Sequence, residues 1–511
     1  MRRRAASIAP AAAVAAMLAA VAAHVAWSGP PPLRDPRPAG RPPAIRPDYA
    51  DVVIPPNIAP LNFTVLEPGC WYHVRLRGAD GPTIDVSSRG SAIAIPPRLW
   101  RRLLEANRGG AIRLDIWVLD EARRWARFEP IRQTVAAEPI DPYLAYRLLR
   151  PLYNKYVNVG IYQRHLESFD ESPVVLGRTF RNGCVNCHTF LNHRGDTMLV
   201  HIRGPATAML LASNGRVRQA ETRTRYTRAP AAYSAWHPSG QFVTFSVNAL
   251  RQFMHAVGET REVFDGDSDL GCYVVQDHSV RSSRHLTQPE RLETFPNWSP
   301  DGRHLYFSSA PKAPIAQYRQ VRYDLMRVSY ESRSKTWGSP ERVLSASAMG
   351  KSLLEPRVSP DGRFLMFCAC PHGSFPIYQP GSDLYLLDLR SGRCERLPVN
   401  SDRCDSWHCW SSNGRWFVFS SKRRDGLFAK PYFSYFDAAG RAHRPFLLPQ
   451  EDPDFYESYL MNYNVPELID RRIELGPKDF ARAALGAGRT VAHAVTGATT
   501  LEPETPKTPA P

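Results

Sequence analysis

A chain of 511 residues, 43% hydrophobic and 22% charged, is long enough for roughly two or three folded domains and too apolar for a disordered polymer. The formal charge of +16 invites a nucleic-acid reading, but Arg and Lys are scattered rather than clustered, which argues against a dedicated nucleic-acid binder. Anionic partners of other kinds, such as acidic redox proteins, lipid headgroups or envelope polymers, remain compatible with that charge.

The N-terminus reads "MRRR", then an Ala-dominated apolar stretch, then the Pro-rich "SGPPPLRDPRPAGRPPAIRP". Residues 1–27 are expected to be an export signal, either cleaved near Val21-Ala22-Ala23 or kept as an N-terminal anchor. Pro10 and the weak hydrophobicity of Ala count against a retained span. No twin-arginine context follows the arginines, so the expectation is export in the unfolded state to a periplasmic or other extracytoplasmic location, soluble or tethered. Residues 28–50 form a Pro-rich linker. Residues 51–139 carry strand patterns at "LNFTVLEPG", "WYHVRLRG", "IDVSS" and "AIRLDIWVLD", with one helix at "PPRLWRRLLEANRGG" between Pro96-Pro97 and Gly109. This predicts a small β-sandwich-like domain. Asp141-Pro142 caps a second predicted helix, "YLAYRLLRPLYNK", in a helical linker over 140–183.

Cys184-Val-Asn-Cys187-His188 follows. Two thiols at this spacing can add to the two vinyl groups of a haem, leaving His188 beneath the iron as the proximal ligand. A zinc site would need a second ligand pair, and no other C-x-x-C is present. A thioredoxin-like dithiol would open a helix, whereas the sequence after His188 is strand-like. One covalent haem c on Cys184, Cys187 and His188 is therefore expected. For the distal side, His193 is too close in sequence to His188. Met254 and His255 lie further along. Met198 and His201 fall on opposite faces of a predicted strand, and Met198 sits at a blade-core position. His201 is the preferred distal ligand, with Met198 and Met209 as the alternatives.

Self-similar units begin at Ala235 ("AWHPSGQFVTFS"), Asn297 ("NWSPDGRHLYFSS"), Arg357 ("RVSPDGRFLMFC") and Cys409 ("CWSSNGRWFVFSS"). Each has a Pro/Asp-Gly turn leading into an apolar strand, with a second strand pair later in the unit. "TFLNHRGDTMLVHIRG" is a degenerate copy, with Gly195 in its turn. Four strands per unit make a propeller blade. The fold expected is mainly β, with five or six blades over 184–470 and the haem motif at the first blade's opening. The strands beginning near Phe242, His304, Phe364 and Trp416 should take equivalent inner positions. A sixth blade could draw on strands before Cys184 or on "DFYESYLMNYNVPELI" near the C-terminus. Residues 471–511 are expected to hold a C-terminal helix and a disordered tail from about 490 onward.

These S-P-D-G-(R/K)-x-(L/I)-x-F units resemble the TolB-like, WD40-like propeller family, known for its PD40 repeats. The whole arrangement, with "IPPNIAPLNF" at Ile54 and "IDPYLAYRLL" at Ile140, also resembles exported bacterial proteins that join a β-rich domain, C-x-x-C-H and such a propeller. That resemblance implies periplasmic location and haem binding, without naming a substrate. Three functions stay open: an electron carrier with the propeller as docking platform for a redox or envelope partner, an interaction scaffold with structural or sensory haem, or a haem subunit of an oxidoreductase. No G-x-S-x-G element follows the repeats, against a hydrolase of the prolyl-oligopeptidase type. Seven cysteines remain outside the motif. Cys404 with Cys409 is the most local disulfide candidate, and Cys394 competes for either.

Overall fold

The computed structural model describes residues 31–150, 159–204, 206–224, 227, 231–253, 262–486 and 488–494. The predicted export signal, Met254 with His255, and the tail beyond 494 lie outside these residues. Among the described residues no helix is long and apolar enough to cross a membrane.

The N-terminal domain is built on a seven-stranded sheet whose longest strand, Ala111–Leu119, pairs with Trp71–Arg77 and Ile131–Val135. Tyr72, Val74 and Leu76 alternate inward along Trp71–Arg77, as a half-buried strand requires. A three-stranded sheet adds Ile45–Arg46, Phe63–Val65 and Ala92–Ile93. The predicted helix is present as Pro97–Ala106, with Pro at its first position and Trp100, Leu103 and Leu104 buried. The Asn107 amide donates to the Leu103 and Asp80 carbonyls. The expected linker over 28–50 is in part sheet: Arg37–Pro38 pairs with Ala126–Arg127, and Ile45–Arg46 with Thr64–Val65.

The described strands from Tyr143 to Ile469 form a β-propeller. Blade 1 is Cys184–Phe190, Met198–Arg203, Ala208–Ser213 and Arg216–Glu221. Blades 2 to 5 begin with Ala231–Trp236, Arg291–Trp298, Ser352–Val358 and Asp405–Trp410. A sixth sheet has Asn462–Ile469 as its first strand, followed by Tyr143–Leu149, Gly160–His165 and Glu171–Leu176. Among the described residues, these six first strands touch one another in succession, and Asn462–Ile469 touches Cys184–Phe190 to close the ring. The closing blade thus joins both candidate segments, one from each side of the repeats.

Two expectations need correction. Tyr143–Leu149 is a strand and not a helix, hydrogen-bonded on both sides. Leu144, Tyr146 and Leu148 are buried at period two, a pattern that a short apolar run shares with a helix until its neighbours are known. Asp141 caps no helix; it accepts from the Ser412 hydroxyl and backbone N–H of blade 5. The C-terminal helix is present as Pro477–Leu485. Beyond it, however, Arg489–Val491 and His493–Ala494 run parallel to the outer strands of blades 1 and 2, so the expected disorder does not begin at 490. Backbone pairing to an exposed sheet edge orders a segment whose composition alone would not.

The repeat turns join the first strand of each blade to the second, so Phe242, His304, Phe364 and Trp416 begin the second strands, at equivalent positions in four successive blades. The turn chemistry recurs closely. The Ser299 hydroxyl donates to Asp301 and accepts from the His304 N–H, while Asp301 accepts from the Arg303 N–H. Ser359 with Asp361, and Ser411 with Asn413, repeat the network. Gly302, Gly362 and Gly414 take φ of 69°, 72° and 66°, which the Asp-Gly or Asn-Gly step supplies without steric cost.

Candidate functional site: the channel wall at Cys187 and His188

Each first strand carries a bulge at the same place. The register shifts between Val185 and His188, Ala232 and Ala235, Thr294 and Asn297, Leu354 and Arg357, and Ser406 and Cys409. The closing blade shifts similarly, leaving Val465 and Pro466 between Asn464 and Glu467. The first bulge residue is left-handed in five blades: Tyr233, Phe295, Glu355, Trp407 and Val465 have φ from 44° to 55°. That conformation is costly for bulky or β-branched side chains and is held only where the surroundings over-determine it. Its effect here is to line the channel. Tyr233, Phe295, Glu355, Trp407 and Val465 all border one cavity, together with Cys187, His188 and Arg357.

Blade 1 places the motif in this wall. Cys184 opens the strand half-buried, within 3.5 Å of an Arg147 nitrogen from the closing blade. Cys187 is the second bulge residue, and its sulfur accepts the Tyr233 N–H at 3.4 Å. Burial raises the Cys187 thiol above its ordinary value. His188 is 3% exposed, and neither ring nitrogen has a hydrogen-bond partner among the described residues. Burial, then Arg147 and Arg357, push its pKa down to about 3, so the ring is neutral and both a donor and an acceptor go unmatched.

The distal candidates are not brought to His188. His188 stands opposite Val200, and His201 opposite Met209. Directly paired residues share a face and adjacent residues do not, so His201 and Met209 lie on the other face of blade 1. The packing agrees: Met209 lies in the cluster with Ala231, Val243 and Tyr273 of blade 2, and Val200 with Ile469 and Ala145 of the closing blade. Met198 shares the face of His188 but sits beside it, opposite Phe190. Two side chains leaving one sheet face in parallel cannot approach an iron from opposite sides. Each of the three candidates is packed in a core. His193 instead bonds the Leu468 carbonyl.

All nine cysteines are free thiols. The Cys404 sulfur faces the Pro376 carbonyl and the Cys409 sulfur the Trp410 carbonyl, so the most local disulfide candidate is not formed. No group of three or more His, Cys, Asp or Glu side chains gathers in metal-binding geometry among the described residues.

Sequence reasoning missed the collar residues Tyr233, Phe295, Glu355 and Trp407. Their signal was available: each lies four positions before the residue that starts its turn, His237, Ser299, Ser359 or Ser411.

No protein-family model matches the sequence, and no curated protein matches it. Among solved structures, a puromycin-hydrolyzing peptidase of Mycobacterium tuberculosis is similar over 78% of this chain, with 12% identity and a TM-score of 0.36. The tricorn protease is similar over 67%, with 13% identity and a TM-score of 0.33. A chain of a nidogen/laminin complex is similar over 64% of this chain and 99% of its own length, with 7% identity and a TM-score of 0.37. This chain covers 56% of the peptidase and 34% of the tricorn protease.

Proposed function

We propose that this chain is an extracytoplasmic c-type haem protein that exchanges electrons with a redox protein or envelope complex, the propeller serving as docking platform. The observation that carries the reading is the buried His188 imidazole, both nitrogens without a partner among the described residues, next to Cys187 on the wall of a cavity. The donor set suits one covalent haem c: Cys184 and Cys187 for the thioethers and His188 for the iron. A haem held there supplies one-electron redox chemistry. His188 is kept neutral by burial, the form in which imidazole ligates. The raised, buried Cys187 thiol would react slowly in the closed ring, which suits attachment to an unfolded, newly exported chain. The net positive charge favours an acidic partner, and an uncleaved N-terminal signal would tether the protein to the membrane.

A second reading is favoured by the placement of His201, Met198 and Met209. None of these three faces His188 across the cavity, so none of them would supply a second iron ligand to a haem held there, which suits a ligand-binding or sensory haem.

The test is a haem stain of denaturing gels after co-expression with a c-type maturation system. Wild type should stain, and Cys184→Ala with Cys187→Ala should not; staining in that double variant would overturn the reading. Spin state then separates the two roles. A low-spin oxidised protein supports the carrier, whereas a high-spin protein that takes up carbon monoxide quickly when reduced supports ligand binding.

A further inference from the structure

Five of the buried polar atoms without partners among the described residues belong to side chains that border the channel cavity. Ser234 Oγ, Glu355 Oε1 and Trp407 Nε1 join both nitrogens of His188 there, all buried and none hydrogen-bonded within the described residues. Buried polar atoms are normally satisfied, so five of them bordering one cavity point to a ligand. Arg357 adds a permanent charge. It belongs to blade 4, at the bulge-flanking position that His188 holds in blade 1. No hydrogen bond or ion pair to its guanidinium forms within the described residues, although its charge acts on Glu355 and Glu467.

The cavity also presents aromatic faces. Tyr233 and Phe295 lie 4.3 Å apart between ring centroids, and Trp407 is 6.2 Å from Tyr233 at an interplanar angle of 29°. Aromatic rings alone suit either an organic cation or a flat conjugated molecule. The charges decide between them. An unpaired guanidinium in the same wall repels a cation. The one carboxyl among the rings, Glu355, is pushed up to about 8 by burial, so at neutral pH it is largely protonated and offers no counter-charge.

We propose that this cavity binds a flat conjugated ring bearing a carboxylate, with Arg357 taking the carboxylate and Trp407, Tyr233 and Phe295 the ring. Guanidinium is suited to bidentate carboxylate recognition, and Trp407 Nε1–H and the Ser234 hydroxyl supply neutral donors beside it. Two sources have this chemistry: the porphyrin of a haem attached at Cys184 and Cys187, with its own carboxylates, or a free aromatic carboxylate. The porphyrin source rests on the haem reading above; the site does not.

The experiment is calorimetric titration of full-length protein with 2-naphthoate, using 2-naphthylmethylamine as the cationic control. It is run on haem-loaded wild type and on the haem-free Cys184→Ala, Cys187→Ala variant. In the haem-free protein 2-naphthoate should bind, the amine should not, and Arg357→Gln should weaken binding at least tenfold. If Arg357→Gln does not fold, Arg357→Lys decides: tenfold weakening supports the site, and unchanged affinity overturns it. Binding in the haem-free variant but not in the haem-loaded protein assigns the site to the porphyrin's carboxylates. Binding in both assigns it to a free aromatic carboxylate. Naphthoate bound in neither, naphthoate bound equally without Arg357, or preference for the amine overturns the proposal, whatever the haem stain shows.

Discussion

The first strands of blades 1 and 4 occupy opposite sides of the ring and carry the same bulge, yet they present different chemistry. Blade 4 leads from Leu354 through left-handed Glu355 to Arg357 and then into a Ser-Pro-Asp-Gly turn. Blade 1 leads from Val185 through Asn186 and Cys187 to His188, and ends in a turn where Asn192 and His193, rather than a glycine, are left-handed. Gly195 there serves closeness instead: a Cβ would stand 2.1 Å from the Arg471 carbonyl oxygen. The difference teaches that the backbone frame is shared while each blade's bulge is free to carry its own side chains. The frame comes from the repeats, and the chemistry from the exceptions.

The sharpest way to break that comparison is to change one bulge-flanking residue in each of two blades. On the proposed haem reading, His188→Ala should abolish or grossly shift the reduced haem spectrum. Cys409→Ala, at the equivalent position of blade 5, should leave that spectrum intact and cost only packing, about 1 to 2 kcal/mol in a chemical melt. Equal spectral effects would mean that blade 1 holds no special site.

Cys184 can be compared in the same way with Glu293, its counterpart in blade 3. Glu293 is fully buried, neither carboxyl oxygen has a hydrogen-bond partner among the described residues, and burial with Asp269 nearby pushes its pKa from 4.5 up to about 8. Below about 4.5 the carboxyl is protonated in both folded and unfolded chains, and no penalty arises. Between 4.5 and 8 the unfolded chain holds fewer protons, so stability falls as pH rises. The loss reaches about 3 kcal/mol at pH 7. Glu293→Gln should flatten this dependence and raise the midpoint of denaturant unfolding at pH 7 more than at pH 4.5.

Two turns that look alike in sequence should also part. Gly302 and Gly362 share φ near 70°, but a Cβ on Gly302 would meet the His237 ring at 2.6 Å, while Gly362 faces open space. Gly362→Ala should cost about 1 kcal/mol from backbone strain alone, and Gly302→Ala about 2 to 3 kcal/mol; thermal melts of the two variants read the difference. The smallest effect concerns His201. Because it leaves the opposite face from His188, His201→Ala should leave the spin state of the oxidised haem protein unchanged. A low-spin to high-spin conversion would return His201 to the distal position.

Much of the frame was legible because its causes are local. Asp-Gly steps fix a left-handed turn residue, and apolar alternation fixes which strand face is buried, so the repeats at Asn297, Arg357 and Cys409 identified blades directly. Cys184, Cys187 and His188 stand out in the sequence for a similar reason, as a spacing with few chemical uses, and the fold brings Cys187 and His188 to one cavity wall. Tyr143–Leu149 was misread because seven apolar-rich residues satisfy period two and period 3.6 alike; only pairing with Gly160–His165 and Asn462–Ile469 made it a strand. For His201 the sequence says that adjacent side chains alternate, but not which face meets the cavity. The bulge beside His188 and the packing of blades 2 and 6 against blade 1 set that. Arg357 and the aromatic collar depend on the tertiary structure most of all. They lie in separate blades, tens of residues apart, and meet only because the ring closes and aims five left-handed bulges into one channel.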